Sequence, residues 1–421
     1  GRSMRIFLHD YSGHPPQIFL SRALAARGHQ VAHSYAAEIE TPRGQLHAQP
    51  TDPKTFSILP IRLSWPLKKH SYFIRQLQEV EFGLRLRQAI IQAEPDVVVC
   101  ANAPLAAVAI AQMACRRRRI PFVFWVMDLH SLAVHVHMRK KLGLLGEAIG
   151  RFYKWLERRT LLLSDRVISI SEGFEASLDA WRINPAVRSV MPLWAPLHEL
   201  PVRPKDNPWS RSLGFDKGLT ILYSGTLGLK HNPALLVRVA EHYRARADIR
   251  VVVISEGLGA DYMRRKKAEL GLDNLTVLPY QPFEEMPNVL GTADILVTLL
   301  EPDAGVFSVP SKVLSYLCAG RAQAAAIPAE NQAARVIAKS GGGLTASPLD
   351  ADAFVAAVDR LVCDEQMRRE CGANARAYAE REFDINRLAT QFEGYLAGLL
   401  PAGTRNGEVP IDFSLARRSG S

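Results

Sequence analysis

Thr298-Leu-Leu-Glu-Pro-Asp-Ala-Gly-Val-Phe-Ser-Val-Pro-Ser-Lys-Val-Leu-Ser-Tyr-Leu-Cys-Ala-Gly320 is the stretch that decides how the rest of the chain is read. The apolar run Ile295–Leu300 reads as a buried parallel strand. It breaks at a glycine-containing loop. Ser308, Pro310 and Ser311 then open a helix over Lys312–Ala319, and Gly320 stops it. Free amides at a helix start, with hydroxyls and a lysine beside them, make an anion site. Open α/β sheets bind ligands beyond the carboxyl ends of their strands. A phosphorylated ligand, most simply a nucleoside diphosphate, is therefore the first expectation.

Outward from this stretch, strands and helices alternate. In the second half, strands are expected at Leu219–Tyr223, Ile249–Ile254, Leu275–Pro279, Ile295–Leu300 and Ala322–Ile327. Helical patterns lie at Pro233–Arg246, Ala260–Leu270, Glu284–Gly291, Lys312–Ala319, Ala329–Ser340, Asp350–Leu361 and Glu365–Glu382. In the first half, strands fit Arg5–His9, Gln30–Ser34, Ser57–Pro60, Asp96–Ala101, Pro121–Val126 and Arg166–Ser171. Helices fit Gln17–Arg27, Tyr72–Ala93 and Leu105–Arg117, with one long helix near Leu142–Leu163. Such alternation implies parallel, doubly wound sheets. Pro192, Pro196, Pro201, Pro204 and Pro208 mark a linker. The expected division is 4–196, 197–385, a helix over 386–400 and a loose tail over 401–421.

The 421 residues suit two domains. Gly1-Arg2-Ser3 precede Met4 and are left out of the fold reasoning. No signal peptide is expected, because Met4-Arg-Ile-Phe-Leu runs straight into a strand. No apolar run approaches the roughly 18 residues of a spanning helix. The five cysteines have no C-x-x-C spacing and read as reduced thiols rather than a zinc site. The net charge of +10 is uneven: residues 1–196 hold 26 lysines and arginines against 15 aspartates and glutamates. That half is expected to meet an anionic surface, nucleic acid and acidic lipid being the two candidates.

The ordered motifs of the second half resemble the nucleotide-binding domain of GT-B glycosyltransferases, most closely the retaining glycosyltransferase family four. They are Leu222-Tyr-Ser-Gly-Thr-Leu-Gly-Leu-Lys230, Val253-Ile-Ser-Glu-Gly-Leu-Gly259, Leu275-Thr-Val-Leu-Pro-Tyr-Gln-Pro282, Ala293-Asp-Ile-Leu-Val297 and Val309-Pro-Ser-Lys-Val-Leu-Ser-Tyr-Leu-Cys-Ala-Gly320. The Pro-Ser-Lys form resembles enzymes that build bacterial surface polysaccharides. The resemblance implies two Rossmann-like domains facing a cleft. It implies transfer of a sugar from a nucleoside diphosphate sugar, a UDP-sugar first, with retention, no cofactor and no metal. No D-x-D motif follows a strand.

For the donor site, the resemblance points to Gly225, Thr226 and Lys230 at a diphosphate-binding turn. Glu256 lies near the nucleoside, and Tyr280 near the base through backbone groups. Ser308, Pro310, Ser311 and Lys312 form the helix-start anion site. The family's E-x-x-x-x-x-x-x-E frame falls here on Phe307 and Ser315, neither acidic. Ser315 keeps one hydrogen bond to offer, and Glu301 or Asp303 stands near enough to take over a sugar contact. In the first half, Gly13 and His14 lie in the turn after the first strand, facing donor phosphates and acceptor. Asp128 and His130 follow the Pro121–Val126 strand beside the transferred sugar. For each of these the plainer alternative is a turn, a cap or a solvated charge.

The basic segments Lys68-Lys-His70, Arg116-Arg-Arg-Arg119, Arg139-Lys-Lys141 and Arg151 to Arg159 are interleaved with Trp65, Tyr72, Phe73, Phe152, Tyr153 and Trp155. Basic, aromatic amphipathic segments suit an anionic membrane interface. The expectation is a cytoplasmic protein, peripheral on the inner face of the cell membrane, taking a lipid-linked or oligosaccharide acceptor and no nucleic acid. The alternatives are a GT-B epimerase, a non-catalytic relative, or a basic nucleic-acid-binding protein. Leu388, Phe392, Tyr395, Leu396 and Leu399 make an apolar stripe expected to return the last helix to the first domain.

Overall fold

A computed structural model describes residues 2–38, 46–67 and 72–401. The chain divides into two units, Gly1–Leu193 together with the segment from Ile385, and Trp194–Asp384. Lys68, Lys69 and His70 of the first basic segment lie outside the described residues, as does the tail after Pro401.

The first unit holds seven parallel strands: β1 (Arg5–Asp10), β2 (Gln30–Ala36), β3 (Phe56–Ile61), β4 (Val97–Ala101), β5 (Phe122–Val126), β6 (Arg166–Ser169) and β7 (Arg188–Val190). Their order is β3-β2-β1-β4-β5-β6-β7. Helices cover the central strands, so β4 and β5 are buried at every position and read as unbroken apolar runs. The order reverses between β1 and β4, which opens a crevice at their carboxyl ends.

The second unit repeats the plan with β8 (Leu219–Ser224), β9 (Ile249–Ile254), β10 (Leu275–Leu278), β11 (Ile295–Leu299), β12 (Ala322–Ala326) and β13 (Gly343–Ala346). The order is β10-β9-β8-β11-β12-β13, so its reversal lies between β8 and β11. Register places Ile295 beside Ile221 and Leu296 beside Leu222.

The helix Ile385–Ala397 packs on the helix Pro15–Ala26 of the first unit. Its Phe392 is fully buried, with ring centroids 5.3 Å from Trp125. Arg27 bonds the Asn386 carbonyl at 2.9 Å and pairs with Glu393 at 2.5 Å. The apolar stripe therefore closes the first unit's core.

Three readings need correction. The helix His130–Leu142 was not expected; it forms a hairpin with Leu144–Leu162, the long helix expected near Leu142–Leu163. Gly143, at φ 60°, turns between them, and the seam is close: a Cβ on Gly146 would stand 1.7 Å from the Met138 carbonyl oxygen. The first of these helices gave no periodicity because only Ser131 and Met138 are buried along it. The expected strand Arg166–Ser171 ends at Ser169, because Ser171 caps a short helical turn through Gly173 N–H. The edge strands β7 and β13 were missed; at three and four residues they are too short to show a period.

Candidate functional site

The second unit's reversal point is built around a lysine. Gly225 follows β8 at φ 135°, and a Cβ there would stand 2.8 Å from Lys312 Nζ. The ammonium sits 3.9 Å from the centroid of the Tyr223 ring, whose face attracts cations. Tyr223 is held by its hydroxyl, which donates to the Thr226 carbonyl at 2.5 Å. Burial lowers the Lys312 pKa to about 7. Among the described residues no carboxylate lies within ion-pair distance of it. This is a desolvated cation beside a glycine turn, and an anion there would restore its charge.

The Lys312 side chain comes from the helix Ser311–Cys318, whose cap residue Pro310 makes no side-chain cap bond. Its amides at Ser311 and Lys312 thus keep the positive end of the helix open toward the same turn. Tyr316, one turn on, ties this helix to β8: its hydroxyl accepts from Ser224 N–H at 3.1 Å and donates to the Ser224 carbonyl at 3.2 Å. The loop before the helix is pinned by buried Asn331, which donates to the carbonyls of Gly305 at 2.8 Å and Ser308 at 2.9 Å. Neither Tyr316 nor Asn331 was picked out from sequence, since both act through backbone groups.

Lys230 is mostly exposed and pairs with Glu301 Oε1 at 3.6 Å. His231 lies on the other carboxylate oxygen, with Nε2 3.4 Å from Glu301 Oε2. Its Nδ1 accepts the Gly228 N–H at 2.8 Å, which leaves Nε2 to carry the proton in the neutral ring. Burial lowers the His231 pKa, and Glu301 opposes that shift. The carboxylate at the end of β11 is thus fixed by two basic groups from the turn after β8. His231 was missed, although it is the neighbour of Lys230 in sequence.

The remaining donor candidates spread outward. Thr226, Ser308 and Ser311 are exposed, Ser315 is half-buried, and Asp303 is exposed on the loop after β11. Glu256 follows β9 and accepts the Tyr280 N–H at 3.3 Å, one strand away from Lys312 in the sheet. A Cβ on Gly259 would stand 1.8 Å from the Leu227 carbonyl oxygen, so the turn after β8 rests directly on the start of the helix Leu258–Leu270 that follows β9.

The first unit's reversal point has the opposite content. Asp10, at the end of β1, is fully buried. Its Oδ2 accepts the His14 N–H at 2.6 Å, while the Gly13 N–H donates to the Asp10 carbonyl at 3.2 Å and Asn102 Nδ2 to Ser12 Oγ at 3.3 Å. Burial outweighs the His14 bond and pushes the Asp10 pKa up to about 7. The amides of the Gly13–His14 turn are therefore spent internally, His14 on the Asp10 carboxyl and Gly13 on the Asp10 carbonyl. Gly13 has φ 68°, and a Cβ there would press on Leu46 at 2.8 Å. Packing and backbone twist account for this glycine.

Beside that turn lies a cavity of about 570 Å³. Tyr11, Ser12 and Asn102 form its sheet end, with Tyr72, Arg75, Gln76 and Glu79 on one wall and His130, His137, Lys141 and Tyr153 on another. His130 thus reaches the cavity, while Asp128 is exposed and accepts only its neighbour's N–H, that of Leu129, at 2.8 Å. The helix start at His130 is capped from elsewhere. Glu157, 1% exposed, accepts Ser131 Oγ–H at 2.6 Å and Ser131 N–H at 3.2 Å. Its pKa is raised to about 7 by burial.

A family model described as a glycosyl transferase 4-like domain matches residues 20–194, and one described as glycosyl transferases group 1 matches residues 206–378. The chain is 23% identical over 184 residues to WcaI of Escherichia coli K12, a protein assigned to colanic acid biosynthesis as a glycosyl transferase; the match spans 44% of each chain. In fold it is similar to Alr3699/HepE of Anabaena, solved with UDP-glucose (TM-score 0.65, 14% identity, 94% of this chain and 100% of that one). It is also similar to WaaG, a glycosyltransferase involved in lipopolysaccharide biosynthesis (TM-score 0.63, 16% identity, 94% and 100%). With one match on each unit, and two parallel Rossmann-like sheets beneath them, the chain belongs to the family-four-like GT-B glycosyltransferases.

Proposed function

We propose that the protein moves a glycosyl group from a nucleoside diphosphate sugar, a UDP-sugar first, to a membrane-associated acceptor, with retention of configuration. The observation that carries this reading is Lys312, an unpaired, desolvated ammonium set against Gly225 at the β8/β11 reversal. A diphosphate is the ligand that matches a half-buried cation, an open helix start and a glycine turn together. The UDP and UDP-glucose complexes of Alr3699/HepE support the choice of donor.

In the transfer, the bond from the anomeric carbon to the phosphate oxygen breaks while the acceptor hydroxyl attacks from the same face. The acceptor proton passes to the departing diphosphate. Lys312, Lys230 and the helix amides stabilise the negative charge that develops there. Glu301, held by Lys230 and His231, is placed to accept bonds from sugar hydroxyls. His130 is the first-unit group placed for the acceptor, and no metal is required.

The acceptor reading rests on the surface of the first unit. Leu144 is 91% exposed, Phe73 80% and Trp65 73%, and Phe152 and Trp155 are each more than half exposed. Arg139, Lys140 and Arg151 are exposed on the helix pair that carries Leu144, Phe152 and Trp155, with Glu147 between Arg139 and Arg151. Apolar side chains ringed by cations fit the interface of an anionic bilayer, each cation contributing about 1 kcal/mol. Among the described residues no helix is long and apolar enough to cross a membrane. We take the acceptor to be a lipid-linked saccharide, such as one carried on a polyprenyl diphosphate, in surface-polysaccharide synthesis at the cytoplasmic face.

A thermal-shift series with UDP, GDP and UDP-glucose tests the donor. Ligand at 100 times its dissociation constant stabilises by about 2.7 kcal/mol. No shift with any of the three would remove the donor reading. Sedimentation with anionic and neutral vesicles tests the surface. Charge reversal at Arg139, Lys140 and Arg151 is expected to release the protein from anionic vesicles, and equal binding to both vesicle types at every salt level would contradict it.

A further inference from the structure

The first-unit cavity has a charge pattern of which the transfer chemistry above uses only His130. Its walls present Arg75, Lys141, His130 and His137 against one carboxyl group, Glu79. Arg75 Nε lies 3.5 Å from Glu79, whose side chain is only 14% exposed. Burial raises the Glu79 pKa, and Arg75 opposes the shift. Arg75 is itself half exposed, so this is a loose pair with one partner held in the wall and the other reaching out. Such a contact contributes little to stability and is easily exchanged.

The same three helices that wall the cavity also carry the exposed apolar side chains. On the helix Tyr72–Ala93, Phe73 and Leu77, 80% and 71% exposed, share the face opposite Arg75 and Glu79. Lys141 is followed at once by exposed Leu142 and, past the turn, by Leu144. The cationic end of the cavity and the apolar surface therefore meet at Lys141–Leu144. A ligand that satisfies both has an anionic head and a hydrocarbon tail.

We infer that this cavity takes the phosphate-bearing head of a lipid-linked acceptor, and that the Arg75–Glu79 pair is its selector. In the empty cavity Glu79 partly neutralises Arg75. The incoming phosphate takes the guanidinium, for which it is the better bidentate partner, and Lys141 adds a second charge. The inference rests on the acceptor reading of the first unit and is independent of the donor reading of the second.

The sign of two substitutions separates this role from a structural one. The test is calorimetric titration of the full chain, saturated with UDP, using farnesyl diphosphate, farnesol and inorganic pyrophosphate as probes. Arg75→Gln with Lys141→Gln is expected to weaken farnesyl diphosphate at least tenfold. Glu79→Gln is expected to tighten it several-fold, because the internal competitor is removed. A merely structural Glu79 would weaken binding or leave it unchanged, and either result overturns the selector. Farnesyl diphosphate is expected to bind at least tenfold more tightly than either farnesol or pyrophosphate. Pyrophosphate binding as well as farnesyl diphosphate would replace the lipid source with a free phosphate and overturn the inference. UDP affinity is expected to be the same in all variants. Absence of UDP binding in the wild type would remove the donor reading alone, and the same titrations without UDP would still decide the cavity.

Discussion

The two sheets reverse their strand order at equivalent places, β1/β4 and β8/β11, yet the turns that follow hold charges of opposite sign. After β1, the His14 N–H is taken by the buried Asp10 carboxyl and the Gly13 N–H by the Asp10 carbonyl, so the turn is already satisfied from within. After β8, Gly225 leaves room for the Lys312 ammonium, and no internal carboxylate neutralises it. One topology thus yields one turn that is satisfied in the empty protein and one that is completed by a ligand. A topological switch point supplies the crevice, and the buried charge decides what the crevice takes.

The comparison is broken most severely at Gly225. Gly225→Ala adds a Cβ 2.8 Å from Lys312 Nζ at a backbone angle that suits glycine. Strain at that angle together with displacement of the ammonium is expected to cost UDP affinity at least tenfold, as much as removing the charge, measured by titration, with the first unit's fold intact. The matching change at Gly13 meets only the end of Leu46, a flexible side chain, and should leave UDP affinity unaltered.

Asp10 sharpens the other half. Its folded pKa of about 7 lies above the unfolded value, so the cost of the buried charge is fully present above pH 7 and is relieved as pH falls. Wild type gains stability over that range, and Asp10→Asn, which does not titrate, gains none from this position. The stability gap between them in urea is therefore expected to widen by ~1–2 kcal/mol from pH 7.5 to pH 5.5. A constant gap would show that the carboxyl titrates normally. Lys312 runs the other way: its lowered pKa means that the empty fold carries a penalty below pH 7 that eases as pH rises toward the unfolded value.

The smallest effect is expected at Lys230. It is 69% exposed, and its partner Glu301 is also held by His231. Lys230→Ala is expected to weaken UDP by only a few-fold, read in the same titration, because exposed charges are screened. A loss as large as that at Gly225 would shift the centre of the site to the turn after β8.

How much of this was legible in sequence follows from where each charge meets its partner. The Lys312 helix start could be read because Pro310, Ser311 and Lys312 lie together and the preceding apolar run fixes the strand. Fully buried strands such as Val97–Ala101 announce themselves for the same local reason. Asp10 could not be read, because its role depends on burial and on how the turn brings the His14 amide back onto its carboxyl. Arg75 and Glu79 have the i,i+4 spacing of an ordinary surface pair, and only the fold puts them in a cavity wall. Glu157 is 26 residues from the helix start it caps, so no local pattern marks it. Asp128, which did look like a cap or a cleft residue, satisfies only its own neighbour's amide.

The central claim is that Lys312 is the cation that receives the donor diphosphate. Its most direct test is UDP titration of the full chain at pH 7 with wild type and Lys312→Met, alongside thermal unfolding without nucleotide. The substitution keeps the length and apolar stem of the side chain and removes the desolvated charge. The account predicts that UDP affinity falls at least tenfold, in line with the roughly 1.5–3 kcal/mol of a charge-assisted bond, while the empty protein melts at a higher temperature than wild type. Wild-type UDP affinity in Lys312→Met would contradict it.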